Sequence, residues 1–178
     1  SNLRGSWNLM QSSFLLLQGP YFDHSEKRKR SSILSYLQNN DVDGVIMRDV
    51  PNLEDIRSLK IPVICVSYLH ENPGLASIQS NCAAIGKLAA KHFLDRRFKN
   101  FGYCGLDKMF WSNSRRESFK ETIEKAGCQL SIYQQPKLKK DRVWTREQRF
   151  MTDWLKSLPR PVAVLACNDE RARDVIEA

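Results

Sequence analysis

Few stretches of this chain combine residue types that could do chemistry, and the clearest is Trp111-Ser112-Asn113-Ser114-Arg115. Trp111 and Arg115 stand four residues apart around an expected helix start, a spacing that turns both toward one side. An indole face packs on the C–H face of a sugar ring, and a guanidinium offers hydroxyl oxygens a planar fork of donors. Arg115 would also lie in the first turn of that helix, where the macrodipole disfavours a cation by up to about 1 kcal/mol. The same spacing fits a structural arginine paired with Asp107 or Glu117, and spacing alone does not choose. Asn168-Asp169 is the second candidate. It brings an amide and a carboxylate to the end of an apolar run, good partners for hydroxyl groups. An Asn or Asp before a helix is equally an ordinary N-cap.

Catalytic signatures are missing. The chain has no G-x-G-x-x-G, phosphate-binding G-x-x-x-x-G-K-[ST], G-x-S-x-G or H-E-x-x-H pattern. His24, His70 and His92 lie in unrelated settings, and His92 is expected as a packed core histidine. The five cysteines (Cys65, Cys82, Cys104, Cys128 and Cys167) are widely spaced and contain no C-x-x-C. An odd count in that pattern suits a reducing cytoplasm better than a disulfide framework or a zinc site. The expectation is a non-enzymatic protein without metal or cofactor.

The elements that must position these residues alternate between short β-rich runs and amphipathic helices. Strands are expected near residues 7–17, 44–47, 61–66, 76–79, 101–104, 130–133 and 162–166. Helices are expected over 26–38, 52–59, 82–97, 114–126, 145–158 and from 169 onward. In the helix over 82–97, Ile85, Leu88, Ala89, His92 and Phe93 fall on one apolar face. Ser114-x-x-Glu117 matches a capping box at the start of the next helix. Phe150, Met151, Trp154, Leu155 and Leu158 share a face of the helix that Thr145-x-x-Gln148 opens. Strand–helix alternation implies mostly parallel sheets flanked by helices, and the runs 62–66 and 162–166 read as strands buried on both faces. Two α/β lobes are expected, residues 1–98 and 99–178. Ligands of such sheets bind beyond the carboxyl ends of the strands. That rule selects residues 105–114 and Asn168-Asp169 in the second lobe. In the first it selects Arg48-Asp49 and residues 67–70, so Asp49 and Tyr68 join the candidates.

Composition narrows the class. The 178 residues carry 28 Lys+Arg against 20 Asp+Glu, with 42% hydrophobic and 27% charged residues, which excludes a disordered polar chain. No apolar run, residues 14–17 included, comes near the roughly 20 that a bilayer helix requires. The polar opening Ser1-Asn2-Leu3 has no signal-peptide pattern and reads as a cut end. A net charge of +8 invites a nucleic-acid reading. Its sources, Lys27 to Arg30, Arg96-Arg97 and Lys137 to Arg142, read as solvated faces and loops, and no DNA-binding motif accompanies them.

Several motifs carry a family resemblance. Asp43-Gly44-Val45-Ile46, Ile61-Pro62-Val63, Asn81 with the helix Ala84 to Phe93, Phe101-Gly102-Tyr103-Cys104-Gly105 and Ala166-Cys167-Asn168-Asp169 resemble the effector-binding module of lac/gal-repressor-type regulators. Trp111-Ser112-x-x-Arg115-Arg116-Glu117-x-Phe119, Trp154-Leu155-x-Ser157-Leu158-Pro159 and Asn168-Asp169-x-Arg171-Ala172-Arg173 are similar to xylose-operon regulators, which join that module to an AraC-type DNA-binding domain. The resemblance implies a two-lobed, type I periplasmic-binding-protein-like α/β fold, here incomplete at both ends, that closes on a sugar in its inter-lobe cleft. It implies a cytoplasmic homodimer that senses a pentose, binds DNA through a domain outside this chain and does not engage a membrane. It carries ligand-site roles onto Arg115, Asp169, Trp111 and Asn168. Ser80 and Ser118 depart from the pattern, standing where the family often has an acidic residue and a glycine. A periplasmic sugar-binding protein of an ABC transporter is the second reading, and a fragment of a small α/β enzyme the third.

Overall fold

In a computed structural model the protein is described over residues 43–47, 60–66 and 74–178. The elements expected at 7–17, 26–38 and 52–59, the run Lys27 to Arg30, and the candidates Asp49 and Tyr68 lie outside the described residues. The chain forms two compact units, Ser1–Gln79 and Ser80–Ala178.

In the first unit, β1 (Val45–Met47), β2 (Val63–Val66) and β3 (Ala76–Ile78) form a parallel sheet in that order. Val45 pairs with Val63, and Ile64 pairs with Ala76. Pro62 stands just ahead of β2, where its carbonyl accepts the Val45 amide at 2.9 Å and its missing N–H leaves the ladder intact. Burial alternates along β1 and β2. Val45, Met47 and Cys65 are buried while Ile46, Ile64 and Val66 are exposed, so the expectation of burial on both faces does not hold for β2.

The second unit holds α1 (Cys82–Asp95), β4 (Asn100–Cys104), α2 (Phe110–Lys125), β5 (Leu130–Ile132), α3 (Trp144–Ser157), β6 (Val162–Ala166) and α4 (Asp169–Glu177). The sheet order is β5-β4-β6, and both pairings are parallel. Alternation along β4 sends its side chains to two covered faces. Tyr103 meets Phe119 of α2 with ring centroids 6.4 Å apart, and Phe119 meets Phe93 of α1 edge-on at 6.1 Å. On the other face Cys104 packs with Tyr133 and with Met151 and Trp154 of α3.

Four expectations about these elements change. The expected lobe boundary near Phe98 moves to Gln79/Ser80, because α1 packs along α2. The buried stripe of α1 is Cys82, Gly86 and Ala90, not the bulky face, and Leu88 is 70% exposed. The reason is close approach: a Cβ on Gly86 would overlap the Ser118 Oγ and the Arg115 carbonyl oxygen of α2 and lie 2.9 Å from the Phe119 amide nitrogen. His92 is therefore exposed, with Nδ1 2.9 Å from Arg96 Nη1, instead of packed in a core. The third change is at α2, which begins at Phe110 with Met109 as its cap residue, so Ser114 is interior and the capping box is not used. Nor does a side chain cap α3, whose N-cap residue is Val143; of its expected face Met151 and Leu158 are buried but Phe150 is 49% exposed.

Candidate functional site

The carboxyl end of the second sheet is built by local hydrogen bonds. Tyr103 closes β4, and its hydroxyl donates to the Ser112 carbonyl at 2.6 Å. The Ser112 side chain turns back and accepts the Leu106 amide at 3.0 Å, which ties the loop after β4 to the first turn of α2. A Cβ on Gly105 would sit 2.8 Å from Ser112 Oγ, so this clamp needs glycine there. Burial raises the Tyr103 phenol well above its ordinary value, against the lowering effect of its Ser112 hydrogen bond, so it stays a donor.

Starting α2 a turn earlier than expected places Trp111 in the first turn and Arg115 in the second. The dipole argument for a displaced cation at Arg115 thus loses its basis. The carboxylates offered as its structural partners are engaged elsewhere: Asp107 with Arg142 at 3.4 Å, and Glu117 with Arg116 at 2.8 Å. Arg115 instead lays its guanidinium over the Trp111 ring, 5.1 Å from the centroid, and Nη1 donates to the Cys167 carbonyl at the end of β6. Its Nε is buried without a hydrogen-bond partner, so part of the donor fork is unused. Trp111 is only 7% exposed; its indole is a base for the guanidinium.

After β6, Asn168 caps α4: its Oδ1 accepts the Arg171 amide at 3.0 Å. Asp169 follows as an exposed residue in the first turn, where the helix N-terminus favours a carboxylate. Cys167 Sγ donates to Asn168 Oδ1 across 3.6 Å, and burial raises this thiol, which keeps it protonated.

A cavity of about 400 Å³ opens at this point, within the second unit. Arg115, Asn168 and Asp169 supply its polar groups, and Ile85, Val164, Val175 and Ile176 its apolar walls. The structure thus brings three of the sequence candidates to one cavity and puts Trp111 behind one of them. One cation, one carboxylate and one amide among apolar walls suit a small neutral molecule rich in hydroxyls. Among the described residues no group of His, Cys, Asp and Glu could hold a metal ion, and no helix is long and apolar enough to cross a membrane.

Two buried charged residues were not among the site candidates, although Arg171 belongs to the Asn168-Asp169-x-Arg171 motif. Glu147 and Arg171 are 3% and 4% exposed and meet at 2.8 Å. Burial opposes charge on Arg171, but the Glu147 carboxylate outweighs it and holds the guanidinium above its ordinary value. The available signal was position: Glu147 lies one turn before Met151 on the buried stripe of α3, an unusual place for a carboxylate without a partner.

A parallel sheet covered on both faces, with polar side chains gathered beyond its carboxyl ends, defines an α/β ligand-binding domain. Residues 90–178 match the periplasmic binding protein-like domain, and the chain belongs to that family. The xylose operon regulatory protein of Haemophilus influenzae is 30% identical over 146 residues, 77% of this chain and 38% of that protein. The structure of a xylose-binding transcription activator, xylR, shares the fold with a TM-score of 0.64 at 19% identity, covering 88% of this chain and 47% of its own. A periplasmic ribose ABC transporter protein from Conexibacter woesei does so with a TM-score of 0.63 at 20% identity, covering 84% and 53%. The chain therefore spans well under half the length of the curated regulator it matches.

Proposed function

We propose that this chain is the ligand-sensing part of a sugar-responsive transcription regulator of the xylose-operon type. The observation that carries the reading is the meeting of Arg115, Asn168 and Asp169 at one cavity beyond the strand ends. Arg115, which lines the cavity, donates to sugar hydroxyls through its guanidinium, Asp169 accepts from them, and Trp111 holds the guanidinium flat. A pentose, small enough for about 400 Å³, is the ligand class. Bound sugar favours one conformational state of the sensor, and that population shift changes how an AraC-type domain elsewhere in the full protein is presented to DNA. The protein works as a cytoplasmic homodimer and has no enzymatic role. Likeness to a regulator at 30% identity supports this reading over transport, since the transporter protein shares the fold alone. Asp49 and Tyr68 of the first lobe are proposed as further ligand contacts.

Calorimetric titration of the chain with D-xylose, L-arabinose and D-ribose tests the reading. Saturable heat with at least one pentose is expected, and Arg115→Ala removes it while leaving the thermal midpoint nearly unchanged. Folded protein that gives no heat with any pentose overturns the sugar assignment. Retained affinity in the variant takes Arg115 out of the site.

A further inference from the structure

A buried carboxylate ties together the three segments that follow the strands of the second sheet. Glu147 on α3 accepts Arg171 Nη2 at 2.8 Å, and Arg171 Nη1 reaches Asp174 at 3.1 Å. The Arg171 amide is the one that the Asn168 cap closes on, so Glu147 grips the residue that defines the first turn of α4. The same Glu147 Oε1 accepts Gln135 Nε2 at 3.5 Å after β5. Gln135 Oε1 in turn accepts the Asp107 amide at 2.8 Å in the loop after β4.

We infer that Glu147 and Arg171 are positioning residues of the pocket, fixing the first turn of α4, with Asn168 and Asp169, against the strand ends and linking it to the loop of Asp107. Two physical points carry this. A helix as short as α4 is marginal by itself and takes its place from tertiary anchors. A buried ion pair is weak evidence for stability, since apolar replacements often match it, but its charge-assisted hydrogen bonds fix direction as packing does not. The binding half of the inference rests on the sugar reading above; the anchoring half does not.

Amide hydrogen exchange of the ligand-free chain, with D-xylose titration alongside, tests it. In Glu147→Gln the amides of Arg171 and Ala172, which Asn168 holds, are expected to exchange about tenfold faster while those of β4 keep their protection, and D-xylose affinity falls about tenfold. The double variant Glu147→Met/Arg171→Met is expected to regain thermal stability without regaining slow exchange at the amides of residues 171 and 172. Recovery of both, or an equal change across β4 and α4, makes the pair merely structural and overturns the inference. Should Glu147→Gln not fold, Gln135→Ala is expected to accelerate exchange at the Asp107 amide with α4 unaffected; no change there overturns the link. Absence of D-xylose binding in the parent chain counts against the sugar reading alone, and the exchange result still decides the anchoring.

Discussion

Gly86→Ala ought to stabilise a helix and is expected to do the reverse. Within α1 the substitution improves helix propensity by about 1 kcal/mol. Against this, the new methyl would overlap the Ser118 Oγ and the backbone oxygen of Arg115, and would lie 2.9 Å from the Phe119 nitrogen, where ordinary contact begins at 3.4 Å. Rotating Ser118 away relieves one overlap, but the two backbone atoms cannot rotate, so α1 and α2 must part by about 1 Å. Such a gap forfeits a quarter to a half of the dispersion energy of each facing contact, including the edge-on Phe93–Phe119 pair. Overpacking of this kind costs roughly 1–3 kcal/mol, and the backbone contacts place Gly86→Ala at the upper end. The net loss is about 2 kcal/mol. Urea unfolding followed by tryptophan emission measures it, and the variant's midpoint is expected well below that of the parent. Ser118→Gly added to Gly86→Ala should recover only a part, because the Arg115 carbonyl remains in the way. An unchanged or raised midpoint in Gly86→Ala refutes the reasoning, as does full rescue by Ser118→Gly.

Removing the α4 cap with Asn168→Ala is expected to lower unfolding free energy by about 1 kcal/mol and to weaken pentose binding, while Asn168→Asp keeps the cap. Denaturation and calorimetry read the two effects, and an affinity untouched by Asn168→Ala removes that side chain from the site. Burial pushes the Cys104 thiol up to about 12 from 9.0, so the folded state keeps a proton that the unfolded chain releases. Stability from this group is complete below about pH 9 and falls as pH rises toward 12, by roughly 1.4 kcal/mol per pH unit. Thermal midpoints between pH 8 and 10 should therefore decline more gently in Cys104→Ala than in the parent, and equal slopes would argue against the assignment.

The parts of the fold legible in sequence were those written in short-range pattern. The runs at 101–104, 130–133 and 162–166 became β4, β5 and β6 nearly to the residue, and β4, covered on both faces, is buried from Phe101 to Cys104. Periodicity failed in α1, where Ile85 and Leu88 marked a face that is exposed and the small residues Cys82, Gly86 and Ala90 made the contact. Hydropathy weighs side-chain size as burial, whereas two helices in close approach need the absence of size. The capping-box match at Ser114 failed for a related reason. The Ser112 side chain, held by Tyr103 and Leu106, lets α2 begin one turn sooner, and no residue near Ser114 signals that.

By itself the sequence determined the α/β grammar and the absence of catalytic motifs, because both follow from composition and neighbours along the chain, and it offered Arg115, Asn168 and Asp169 as candidates whose roles the family resemblance implies. Tertiary structure alone decided that those three share a cavity, that Trp111 supports the guanidinium from behind, and that Glu147 and Arg171 pair in the interior. Residues so far apart in sequence meet only when parallel strands are laid side by side, and no local pattern records which partner a buried charge will find.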